Sequence, residues 1–206
     1  MRSPKAAGRL LVAALAPFLA WFALAMTTLA QTGVNTTGDF TPATMADVRL
    51  QWIVIAVLYT LAVLTGAAGT ASVGTTPELT LAARITATVS AIAILGYLAL
   101  ALTMTGFGEP KLSENPLWGA SLWLSMTAIW AALAGIVVTG LGLRRTGRLR
   151  RTGLVVAIIA GIILVADVVL GGAFPPLIVA LLWLPLGIGL LRRPVTAPAR
   201  PVASTA

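Results

Sequence analysis

Asp167 is a carboxylate set inside an apolar run, between Ile162-Ile163-Leu164-Val165-Ala166 and Val168-Val169-Leu170. An ionised acid in hydrocarbon is costly, so such a residue either couples to a proton, cation or substrate or serves as a hydrogen-bond acceptor. Its place close to the end of the run favours the structural role. Arg84 is the mirror case, about two helical turns past Pro77, where a long side chain can snorkel to the headgroups. Thr80, Arg84 and Thr88 recur every fourth residue and share one helical face, which can line a cavity or pack on a neighbour; packing is the expectation. Arg84 and Asp167 fall near opposite ends of their runs, so they are not expected to pair.

The densest charge lies in Arg144, Arg145, Arg148, Arg150 and Arg151. Guanidinium groups at this density suit phosphate, from anionic lipid headgroups or a nucleotide-bearing partner. The simpler role is a topological anchor facing an anionic leaflet, and that is the expectation. Gly147 and Gly153 are too sparse for a phosphate-cradling loop. Asp39, Asp47, Glu109 and Glu114 could meet around a divalent cation through oxygen ligands. No spacing motif supports that, so no metal, cofactor or catalytic residue is expected.

Two absences narrow the chemistry further. With no cysteine and no histidine, disulfides, thiolate nucleophiles, histidine proton relays and most zinc, haem and copper sites are excluded. Gly119-Ala120-Ser121-Leu122 resembles the serine motif of the rhomboid intramembrane proteases, as does the number of spans. The likeness covers three residues and lacks the second glycine. The catalytic histidine that family requires has no counterpart in this chain, so its activity is excluded.

The elements that must position these groups are written in the hydropathy. Hydrophobic residues make up 58% and charged residues 10% of the 206, with a mean hydropathy of +0.97, so the expected solvent is lipid. Six apolar stretches are predicted as spans, at about 9–30, 49–66, 77–105, 116–143, 153–170 and 175–191. Backbone satisfaction in hydrocarbon makes them helices, giving an all-α polytopic bundle in one domain, 1–193. Thr41-Pro42, Thr76-Pro77 and Asn115-Pro116 each offer a capping side chain before a first-turn proline, and Pro175-Pro176 marks the last start without one. Pro17 and Pro185 are expected to kink their helices. The longest polar connection, Gln31 to Val48, is too short to form a core of its own. Residues 194–206 read as a disordered tail.

The formal net charge of +8 belongs to an oriented membrane protein, with no nucleic-acid partner implied. Alternating spans place Arg2, Lys5, Arg9, Arg84, Arg144–Arg151, Arg192, Arg193 and Arg200 on one side. Asp39, Asp47, Glu109, Glu114 and Asp167 fall to the other, with only Arg49 and Lys111 as cations. The positive-inside rule then puts both termini in the cytoplasm. Residues 1–30 also resemble a secretory signal, whose cleavage would leave five spans; retention is the expectation, because the apolar run exceeds the usual ~7–15-residue signal core. Small residues at Ala131, Gly135 and Thr139, and at Gly153, Ala157 and Gly161, permit close helix packing within the chain or in an oligomer. Trp52 and Trp118 are expected at the headgroup boundary, and Trp123 with Trp130 in lipid or packing contacts. The arginine-rich, Ala/Val/Leu-rich composition suggests a GC-rich bacterial genome and hence a bacterial plasma membrane. The functional expectation is a non-catalytic structural or accessory subunit. A transporter or ABC-type permease subunit is the first alternative, and a lipid-modifying enzyme the second.

Overall fold

A computed structural model describes residues 4–172 and 174–192. Arg2, Arg193, Arg200 and the tail expected at 194–206 lie outside the described residues. Every long element described is helical: α1 (Pro4–Ala13), α2 (Leu15–Thr32), α3 (Pro42–Ser72), α4 (Pro77–Thr103), α5 (Pro116–Arg145), α6 (Arg150–Val169) and α7 (Leu177–Arg192). Five helical stretches are long and apolar enough to cross a membrane, with α1 and α2 counted as one. The sixth expected span, α7, has 16 residues, or about 24 Å, somewhat less than a ~30 Å hydrocarbon core.

Local chemistry explains most boundaries. Thr41 accepts the Thr44 amide (3.2 Å) and Asn115 accepts the Leu117 amide (2.8 Å), each ahead of a first-turn proline. Thr76 departs from expectation: its hydroxyl is buried without a partner, and Thr80 Oγ1 accepts the Thr75 amide instead. Pro175 and Pro176 precede α7, their carbonyls accepting the amides of Ile178 and Val179. Pro17 has no N–H for the Ala13 carbonyl, and the first helix divides at Ala14. Pro185 sits within α7 without ending it. The α3 helix spans more than the predicted 49–66. Its backbone leaves helical geometry at Val48 (φ −109°, ψ 15°), at the charged Asp47–Arg49 border, and it runs on to Ser72.

The helices form a closed ring in chain order. Neighbours α3–α4, α4–α5 and α5–α6 pack together, and α1 closes the ring against α7 while α1 and α2 cover α3. Glycine sets the closest approaches. A Cβ on Gly140 would stand 2.5 Å from the Gly153 carbonyl oxygen, and one on Gly153 would stand 2.6 Å from that of Gly140. Gly8 and Gly187 bring α1 and α7 together in the same way, at 2.9 and 3.0 Å. On α3, Gly66 leaves the slot that the Trp183 ring of α7 occupies, and Gly69 faces Leu11. Gly69, beyond the predicted 49–66 span, is therefore a packing residue inside a helix.

Side-chain bonds among the described residues link the helices: Trp52 Nε1 to the Ala101 carbonyl (2.7 Å), Ser90 Oγ to the Ala128 carbonyl (2.8 Å), Tyr59 Oη with Ser125 Oγ (2.9 Å), and Trp130 Nε1 to Asp167 (2.9 Å). Such bonds contribute about 0.6 kcal/mol each on average between membrane helices, enough to fix register more than stability. Around Tyr59 the rings of Trp21 (5.1 Å), Tyr97 (5.4 Å) and Phe18 (6.0 Å) form the aromatic centre, and Phe18 also meets Trp183 (6.2 Å).

A second core lies at the non-basic end. The connection beginning at Gln31 forms no core of its own but shares this one, because the 107–115 connection closes over it. Phe40, Met45, Val48, Trp52, Met104, Phe107 and Leu112 bury one another there. The Leu112 amide donates to the Phe40 carbonyl (2.8 Å), and Lys111 meets Asp39 (3.3 Å) at the exposed rim. Trp52, expected in the headgroup belt, is a buried residue of this cap.

Replacing Gly66 with Ala is expected to destabilise the bundle by about 1–3 kcal/mol, through overpacking against Trp183. The double variant Gly66→Ala/Trp183→Leu is expected to lose less than the sum of the two single changes. Thermal unfolding in detergent, followed by circular dichroism, measures both; strict additivity would show that the two side chains do not share the slot.

Candidate functional site

Asp167 is the sole acid among the buried residues of the described bundle, at 2% exposure. It sits in the last turn of α6, ahead of Gly171 and Gly172, whose positive φ angles (68° and 83°) reverse the chain. Its Oδ1 accepts the Phe174 amide across that turn (2.8 Å), its Oδ2 accepts the Trp130 indole N–H from α5 (2.9 Å), and its own carbonyl accepts the Gly172 amide (2.8 Å). Both carboxylate oxygens are thus engaged by N–H donors. A carboxylate suits this place because it accepts at both oxygens, whereas an amide offers one acceptor and one donor group. The arrangement pins the α6–α7 turn onto α5. Sequence reasoning identified Asp167 but not its partners; an indole in an apolar helix, whose N–H commonly takes an acceptor there, was the available signal. Trp130 also meets Trp123 edge-on (6.1 Å).

Arg84 is exposed on the perimeter of α4, and Thr88, also exposed, donates to the Arg84 carbonyl of its own helix (2.9 Å). The face shared by Thr80, Arg84 and Thr88 therefore does not pack as expected. Thr80 turns to the α3–α4 connection, and the rest looks outward. Asp167 and Arg84 are not brought together, as anticipated.

The arginine segment is the second assembled group. Gly147 (φ 71°) turns the chain between α5 and α6, and Leu149 is drawn inward, its amide donating to the Leu143 carbonyl (3.2 Å). Arg148 reaches across to the Gly74 carbonyl (3.2 Å), tying this turn to the α3–α4 connection. Arg144, Arg145 and Arg150 line an open cleft of about 570 Å³ with Leu141 and Gly147; Arg151 is exposed beside them. The only ion pair among the described residues is Lys111–Asp39 at the other end, so no carboxylate neutralises this cluster.

The remaining candidates are scattered. Asp39 is held by Lys111 and Thr36, while Glu109 accepts from Asn115 (3.0 Å) and the Gly108 amide. No three acids converge on a metal-sized site among the described residues. Ser121 is buried and donates to the Trp118 carbonyl (2.8 Å). No family model matches this chain, and neither a curated protein nor a solved structure matches it.

Asp167→Ala is expected to lower stability by roughly 1–3 kcal/mol, since it strands a part-buried indole N–H and a part-buried amide. Trp130→Phe removes one bond and is expected to cost about 1 kcal/mol. A double-mutant cycle in detergent should give a coupling energy above zero between the two positions. Independent effects would sink the assignment of Asp167 as a structural acceptor.

Proposed function

We propose that this chain is a non-catalytic, multi-pass protein of a bacterial plasma membrane, acting as a structural or accessory subunit of a larger membrane assembly. The observation that carries this reading is how the bundle uses its interior polar groups. Asp167, the acid best placed to bind a proton or cation, spends both oxygens on Trp130 and Phe174. Tyr59 is tied to Ser125, while Thr60 and Thr70 return their hydroxyls to their own helix. Groups arranged this way hold helices in register; a coupling site needs polar groups open to an aqueous path.

The orientation follows from charge. Arg144, Arg145, Arg148, Arg150 and Arg151 gather at the end where α1 begins and α7 finishes, which supports a cytoplasmic position for that end. The cap built around Phe40 and Leu112 then faces outward. The first helix belongs to the mature protein in this reading, because Gly8, Leu11 and Phe18 fill contacts with α7 and α3 that its removal would open. The exposed apolar faces of α4 and α6, including Ile92, Ile162 and Val165, suit lipid or neighbouring subunits.

A cysteine-free chain permits a direct test of orientation. Thr36→Cys is expected to react with a membrane-impermeant maleimide in intact cells, and Thr146→Cys only after permeabilisation; both positions are exposed. The reverse pattern would overturn the topology. For the role, extraction in polymer-bounded native discs is expected to recover a second polypeptide in fixed ratio. Recovery of the chain alone, with cation or proton flux in proteoliposomes that Asp167→Asn abolishes, would replace the accessory role with transport.

A further inference from the structure

The outward face of α4 carries an ordered pattern. Leu81, Ile85, Thr88, Ile92 and Leu95 are spaced alternately by four and three residues, Leu102 follows seven further on, and all six are exposed. In heptad terms isoleucine holds the a positions and leucine most of the d positions, the seam of a parallel helix pair. Arg84 stands just before Ile85, at the flanking g position where paired helices read each other's charge. It also lies inside the bundle's length. A Cβ on Gly135 would stand 2.9 Å from Thr86 Oγ1, and Gly135 precedes the end of α5 at Arg145 by ten residues. Arg84 is therefore about two turns deeper than the arginines that end α5.

We propose that this face docks one membrane-spanning helix of a different polypeptide, which carries an aspartate or glutamate level with Arg84. Charge complementarity selects that occupant. Lipid tails satisfy the leucines and isoleucines but not a guanidinium, and charged groups at membrane depth pair with one another. No carboxylate pairs with Arg84 among the described residues. A second copy of this chain does not supply one. Its flanking e positions beside Arg84 are Ala82 and Val89, Asp167 is buried with both oxygens taken, and Glu78 stays in the first turn of α4. Thr88 sits in the seam with its proton given to the Arg84 carbonyl, which leaves its oxygen as an acceptor for the incoming helix.

The inference rests on the accessory-subunit reading and adds the docking face and the partner's chemistry. The first test places the full chain in phosphatidylcholine vesicles with a synthetic membrane-spanning helix of matching Ile/Leu seam, carrying one Glu or one Gln at the level of Arg84. Association is followed by energy transfer. The Glu helix is expected to bind, and the Gln helix to bind roughly tenfold more weakly, the size of one polar bond between model membrane helices. Arg84→Gln should erase the difference, and Arg84→Glu should transfer the preference to a helix carrying Arg. Equal binding of the two helices, or a Glu preference that survives in Arg84→Gln, would overturn the proposal. The second test puts photoreactive benzoylphenylalanine at Ile92 in native membranes. The expected adduct is with a different polypeptide whose span contains Asp or Glu. An adduct with a second copy, with lipid alone or with an acid-free span would overturn the proposal. A partner captured only from Ile162 on α6 would also overturn it, while leaving the accessory role standing.

Discussion

Close backbone approach at glycine is the contact on which this bundle depends. Lipid tails are as apolar as leucine, so helices in a bilayer gain little from hiding apolar surface against each other and must gain from tight packing. Here the tight points are distributed around the ring. Gly140 meets Gly153 where α5 turns into α6, Gly8 meets Gly187 where the ring closes, and Gly66 admits Trp183 at the centre. Trp183 shows how much weight packing carries, because its indole N–H is buried without an acceptor while its ring fills the slot. Dispersion over that large ring offsets the lost hydrogen bond.

Polar side chains act on this scaffold as register marks. Tyr59–Ser125, Ser90–Ala128 and Trp52–Ala101 each fix the height of one helix against another. Trp130–Asp167 does the same for the α6–α7 turn, with the Phe174 amide holding the far side. The charged groups, by contrast, are kept at the two ends. Arginines crowd the basic end, and the exposed Lys111–Asp39 pair lies on the cap, where solvent screening leaves it worth little. The chemistry available to the protein is therefore peripheral: a cationic cleft at one end and the apolar lipid-facing sides.

Much of the architecture was legible because its signals are local. Hydropathy marks the long helices, and Thr41-Pro42 and Asn115-Pro116 announce two starts that the cap hydrogen bonds confirm. The misreadings share a cause. Gly69 and Thr70 fall beyond the predicted 49–66 span because they are small and polar, yet Gly69 faces Leu11 of α1 and Thr70 faces Gly135 of α5. Trp52 was placed at the headgroups because its partner, Ala101, lies 49 positions away. The cap core joins Phe40 to Leu112, and pairing over such a distance leaves no pattern in either segment. For Asp167 the sequence showed an acid near a helix end but not the indole on the neighbouring helix. That is the difference between a candidate ion site and a bracket for a turn.

The uneven reach of the helices bears on the bilayer itself. Gly172 rests against Met126, ten residues into α5, so the α6–α7 turn stops roughly 15 Å short of where α5 begins. One flank of the protein is a tall wall, formed by α3, α4 and α5, and the other is a low one. Annular lipids must stretch along the first and compress along the second, at a fraction of a kcal/mol for every ångström of misfit. Monolayer elasticity then favours any arrangement that hides the low wall, either beside a neighbour of matching height or in a thinner patch of membrane.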